Sequence, residues 1–196
     1  MTCSSFHVLP LAVLPFAALL LVACVTETTD DLIPSRPLSR SAVVSVGGTT
    51  PVPTPADYSW VRSSSVLIDD PRLDPVRLRA LVRGALQECL ATHGLTPGSR
   101  GTAMLEVGYV VALERELDES TVSSMFGLDA GLSATAEEAA RYGKGTLIVN
   151  ISSTGARTPL WRGSVQAFAD LDLPDEVRRQ RVRRAVELLL ARVPFE

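Results

Sequence analysis

The chain has 196 residues, 46% of them apolar, with a formal net charge of −3. That length and apolar content suffice for one packed domain, and so slight an acidic excess excludes binding driven by bulk charge to nucleic acid. The three cysteines are Cys3, Cys24 and Cys89, too few and too scattered for a disulfide scaffold.

From Val8 to Val22 the sequence is apolar apart from two prolines, and no charge precedes Glu27. A run this short and proline-broken does not suit a spanning helix, which needs about 20 apolar residues. It suits the apolar region of an export signal ending at a small residue, here Ala23, although Met1 to His7 lack the usual positive charge. Leu21-Val22-Ala23-Cys24 resembles the lipobox of bacterial lipoproteins. The resemblance implies a signal peptide over residues 1–23, cleavage between Ala23 and Cys24, and lipids on Cys24, because only a thiol forms the thioether. An ordinary signal with a chance cysteine is the alternative. In two-membrane envelopes an aspartate after the lipidated cysteine commonly retains a lipoprotein at the inner membrane. Val25 stands there instead, which implies the outer membrane, facing the periplasm. With Cys3 removed and Cys24 lipidated, Cys89 is left as a lone thiol, so stability is expected to come from packing.

Residues 24–40 are rich in Thr, Ser, Pro and acid with no hydrophobic period, as in a flexible tether. Fully stretched, it reaches at most about 60 Å. Ser41 to Val46 reads as a short strand, Gly47 to Pro55 as a loop, and Tyr58 to Val61 as a strand with an aromatic at Trp60 as well. Asp74-Pro75 opens a helix with Asp as cap and Pro at its first position, and Leu78, Val82, Ala85 and Cys89 fall on one face before Gly94 ends it. Ala103 to Leu113 alternates as a strand with Leu105, Val107, Tyr109, Val111 and Leu113 on one side. Thr135-Ala136-Glu137-Glu138 fits a capping box for a short helix. Leu147, Val149 and Ile151 mark another strand, Gly155 a turn, and Leu160 to Ala169 a third. Pro174-Asp175-Glu176 opens a last helix striped by Val182, Ala185, Val186, Leu189 and Val193. The expected architecture is α+β over residues 41–196. It has an antiparallel sheet of about four strands with two main helices on one face, in the order β-α-β-β-β-α.

Several of these segments together resemble the lipoprotein family known as domain of unknown function 4136. They are Ala56-Asp57-Tyr58-Ser59-Trp60, the helix from Asp74 to Leu90, the exit Thr92-His93-Gly94-Leu95, Gly145 to Val149, Leu160-Trp161-Arg162-Gly163 and the closing helix. The resemblance covers most of residues 41–196, with the Trp161-Arg162-Gly163 strand its most telling piece. It departs over residues 114–142, where many members carry a Gly- and Tyr-rich loop. None of the matching pieces is catalytic, so the resemblance speaks to fold and placement.

No catalytic, metal or cofactor site is read from the sequence. After the signal there is one histidine, His93, at a helix exit, and no Gly-x-Ser-x-Gly spacing occurs. One Cys and one His fall short of a zinc set. Cys89 sits among apolar helical positions as an inert thiol. Asp69-Asp70 and Glu137-Glu138 are adjacent pairs that point apart and read as solvated, and Trp60 and Trp161 lie on strands as core residues. The one marked patch is Arg178, Arg179, Arg181, Arg183 and Arg184 on the last helix. Cations at a helix start oppose its dipole, which points to contact with anionic headgroups or an acidic envelope protein. The favoured reading is nonetheless a solvated face opposite the core in an arginine-biased chain whose one lysine is Lys144. The expectation is a non-enzymatic envelope lipoprotein held by lipids on Cys24, with a binding or assembly role. The alternative is a carrier or sensor of a small apolar or lipid ligand, and an enzyme ranks third.

Overall fold

The computed structural model describes residues 42–47, 50–113, 117–128, 132–133, 135–137 and 142–196. The expected signal peptide, Ala23, Cys24 and the tether lie outside the described residues, as does Glu138. Residues 36–196 form one unit. Its strands are β1 (Ala42–Gly47), β2 (Ala56–Trp60), β3 (Ser65–Leu67), β4 (Leu95–Pro97), β5 (Leu105–Leu113), β6 (Gly143–Ser153) and β7 (Trp161–Ala169). Its long helices are α1 (Pro75–Thr92) and α3 (Asp175–Leu190), and a short α2 (Glu119–Phe126) lies between β5 and β6.

The long strands form where apolar and polar residues alternate, and they pair as a meander. β5 runs antiparallel to β6, and β6 to β7, so that Val107 faces Ile151 and Val149 faces Gly163. β1 closes one edge antiparallel to β7. On the other side β5 has two short partners in succession. β2 runs parallel to its first half and β3 parallel to its second, with β4 parallel to β2 at the far edge. Between β2 and β3 the chain turns at Arg62 and Ser63, after the Val61 amide donates to the Val107 carbonyl at 2.9 Å and its side chain packs closely over Gly108.

This corrects the expected sheet on two counts. Among the described residues it has seven strands in a mixed arrangement, not about four in an antiparallel one. One cause is α1: β3 leads into this helix, which packs on the sheet and returns the chain as β4, running in the same direction beside β2. The expectation of two main helices on one face is also incomplete, because α2 packs on the opposite face. Ala112 and Ile148 point there and bury against Leu117, Val122 and Leu128. The overall class remains α+β.

The main core lies between the sheet and helices α1 and α3. Tyr58, Leu105, Val107, Val149, Ile151 and Trp161 come from the sheet, and Val82, Leu86, Leu90, Val186, Leu189 and Leu190 from the helices. Asp74 caps α1 by accepting from the Val76 and Arg77 amides, with Pro75 just inside. His93 ends the helix and Gly94, with φ of 80°, supplies the left-handed residue that follows. Asp118 caps α2, and Gly127 in the left-handed region terminates it. Ala136 and Glu137, after Thr135, are also helical. The chain end returns to the domain's start, where the Val52 amide donates to the Pro194 carbonyl at 2.8 Å and the Glu196 amide to the Val52 carbonyl at 3.0 Å.

Candidate functional site: the arginine cluster and the apolar cleft

Two interhelical ion pairs set the relation of α1 to α3. Arg77, near the start of α1, meets Asp175 at the start of α3 at 3.3 Å, and Glu88, further along α1, meets Arg183 at 3.1 Å. The helices therefore run side by side in the same direction, and both positive N-terminal ends lie at one end of the domain.

Ion pairs also account for most of the arginine cluster. Arg178 reaches Asp175 at 2.8 Å and also donates to the carbonyls of Leu171 and Leu173, fixing the loop before its own helix. Arg179 pairs with Glu176 at 2.7 Å and Arg184 with Glu187 at 3.3 Å, both one turn apart. The acids Asp175 and Glu176 in the first turn thus offset the charge opposing the helix dipole. Arg179, Arg183 and Arg184 remain more than half exposed, so their pairs contribute little to stability.

Arg181 stands apart. It points toward the sheet, is partly buried, and makes one hydrogen bond, to the Phe168 carbonyl at 2.8 Å. It has no ion pair with any described residue, although a guanidinium has five donors. Burial holds it below the usual arginine range, with Asp170 and then Tyr142 acting the other way.

Arg178 and Arg181 line a cleft of about 150 Å³ under the N-terminal ends of α1 and α3. Its walls are otherwise nearly all apolar, from Leu73 and Leu78 at the start of α1, Val111 and Leu147 on the sheet, and Val182 and Ala185 on α3. A space of this size accommodates a group about as large as a benzene ring.

The other residues singled out from the sequence take structural places. His93 stacks on Phe195 with ring centroids 4.2 Å apart, locking the chain end to the helix exit. Cys89 is a free, partly buried thiol, and burial, followed by the charge of Glu187, pushes it up from the ordinary thiol range. Asp70 accepts from the Arg72 amide and side chain. Glu137 is exposed. Trp60 meets Tyr58 and Tyr109 edge-on at 5.3 and 5.8 Å, with Arg83 of α1 over its ring at 4.9 Å. Trp161 is buried in the main core. Among the described residues no cluster of three or more His, Cys, Asp or Glu could hold a metal, and no helix is long and apolar enough to cross a membrane.

Sequence reasoning missed the polar side chains that clasp the β5–β6 connection on the second face. Lys144, only 7% exposed on β6, pairs with Glu119 of α2 at 2.7 Å. Arg162 on β7 donates to the Phe126 carbonyl at the end of α2 at 2.9 Å and to Asn150 at 2.6 Å. Gln166, also buried, accepts from the Leu132 amide at 3.0 Å. The available signal was the polar residues at alternate positions, Lys144, Thr146 and Asn150 on β6 and Arg162, Ser164 and Gln166 on β7: on a solvated face they would have been exposed, and here a covering segment lies over them.

No family model matches the chain, and no curated protein matches it either. Among solved structures it is similar to the PelC dodecamer from Paraburkholderia phytofirmans, with a TM-score of 0.47 and 7% identity over 80% of this chain and 99% of that one. It is also similar to a PDZ domain protein from Parabacteroides distasonis, with a TM-score of 0.43 and 12% identity over 80% of this chain and 36% of that one. Identities this low carry nothing about function.

Proposed function

We propose that the chain is a lipid-anchored envelope lipoprotein of the domain of unknown function 4136 family and that its domain works by binding, not by catalysis. The observation that carries this reading is Leu21-Val22-Ala23-Cys24 at the end of an uncharged apolar run, followed by a Thr-, Ser- and Pro-rich stretch ahead of the folded unit. Val25 after the cysteine supports the outer membrane, facing the periplasm. The tether then holds the domain near the bilayer, where an envelope protein or anionic lipid is the partner. Cells supplied with radiolabelled palmitate test this: wild-type protein should carry label and Cys24→Ser should not. Equal label in both would refute the anchor.

A second reading, the carrier of a small apolar or lipid ligand, is favoured by the cleft between the sheet and the helix N-termini. Among the described residues the large exposed apolar side chains are Leu67, Val76, Met104 and Met125, one each from β3, α1, the approach to β5 and α2. They are spread over separate elements, whereas the cleft gathers its apolar walls in one concave place.

A further inference from the structure

We infer that the cleft binds a small amphiphilic carboxylate, with its hydrocarbon part between the sheet and the helices and its carboxylate on Arg181. This rests on the carrier reading and adds the charge and size of the ligand.

Three observations converge on that chemistry. The first is size and polarity: about 150 Å³ with nearly all-apolar walls accepts one ring or a short hydrocarbon chain and offers nothing to a sugar or a peptide backbone. The second is Arg181, which lines the same space. Arg178, Arg179, Arg183 and Arg184 each have a carboxylate partner, whereas Arg181 uses one donor on a carbonyl and has no ion pair with a described residue. Asp170 also lines the cleft and acts on Arg181 through its charge but makes no ion pair with it, so donors remain for a ligand carboxylate, whose two oxygens match the planar fork. The third is the field: α1 and α3 are parallel, so the positive ends of both helices lie where the cleft lies. The acids at those ends are engaged, Asp74 by the Val76 and Arg77 amides, Asp175 by Arg77 and Arg178, and Glu176 by Arg179, which leaves Asp170 as the carboxylate lining the cleft. An apolar group alone would use the walls and leave Arg181 unsatisfied. A carboxylate with an apolar tail uses both.

The test is equilibrium dialysis of the full chain in lipid nanodiscs, with empty nanodiscs as reference and radiolabelled hexanoate or 1-hexanol as probes. Hexanoate should bind saturably above the empty discs, and hexanol about tenfold more weakly. Arg181→Gln should bring hexanoate down to the level of hexanol, and Ala185→Leu, which fills the cleft, should weaken both. Equal binding of hexanoate and hexanol to the wild-type protein would overturn the carboxylate assignment while leaving a carrier of neutral ligands standing. Absence of saturable binding for either probe would overturn the carrier reading and this inference with it. The wild-type comparison needs no variant, so the proposal stays testable should Arg181→Gln fail to fold.

Discussion

Gly163→Ala is the substitution whose cost the structure defines most sharply. Gly163 lies in the middle of β7 with the ring of Trp161, two residues earlier on the same face, folded over it. A Cβ at this position would sit 2.5 Å from Trp161 Cζ2, 2.6 Å from Cη2 and 3.1 Å from Leu189 Cδ1, where ordinary contact begins at 3.4 Å. The ring has nowhere to go, since Trp161 is 2% exposed and Leu189 beyond it is fully buried. Overpacking of this kind costs about 1–3 kcal/mol. Alanine restores about 0.5–1 kcal/mol of the strand preference that glycine lacks. A net loss of about 1 kcal/mol is therefore expected, which lowers a urea midpoint by about 0.5 M at a typical slope of about 2 kcal/mol per molar. The control is a double-mutant cycle with Trp161→Leu. If the ring is the obstacle, adding Gly163→Ala in that background should cost far less than in the wild type, giving a coupling on the order of 1 kcal/mol. An unchanged midpoint for Gly163→Ala, or the same penalty with and without the ring, would refute the packing argument.

Other expectations follow from the same core and from the paired arginines. Leu189 is fully buried on the face of α3 that packs on the sheet, so Leu189→Ala should destabilise by about 2–5 kcal/mol, read as a urea midpoint; no change would place α3 outside the core. Because burial and Glu187 raise the Cys89 thiol, less of it is thiolate at any given pH. Its peptide should therefore be alkylated by iodoacetamide at pH 8 far more slowly in the native protein than in urea, and equal rates by mass spectrometry would contradict that. Arg179, Arg183 and Arg184 are exposed and engaged with Glu176, Glu88 and Glu187. Replacing these three with Gln should shift stability by about 1 kcal/mol or less and leave sedimentation with anionic vesicles unchanged. A loss of vesicle binding in the triple variant would instead assign the patch to lipid headgroups.

What could be read in the sequence were the features written locally. Asp74-Pro75 at the start of α1, Gly94 after its end, and the alternation from Leu105 to Leu113 each act within a few residues, and the corresponding elements occupy those places. The strands that went unread, β3 and β4, are three residues each and too short to show a period. Strand direction was misjudged because it depends on which strands become neighbours across α1, a long-range outcome. The covering of the second face was hidden for a related reason. Lys144, Gln166 and Arg162 look like solvent-facing residues until the β5–β6 connection lies over them. The arginine cluster was legible as composition, but its division into paired residues and one unpaired residue was not. Glu88 and Phe168, the partners of Arg183 and Arg181, are distant in the chain. The cleft has no sequence signature at all, because its walls come from both helices and the sheet and follow the same apolar pattern as the rest of the core.

The central claim is the anchor on Cys24, and mass spectrometry of the protein isolated from its own membranes tests it most directly. The first residue should be Cys24, carrying the added mass of diacylglycerol on sulfur and of an acyl chain on the amino group. A chain that retains residues ahead of Cys24, or that begins at or after Cys24 without lipid, would contradict it.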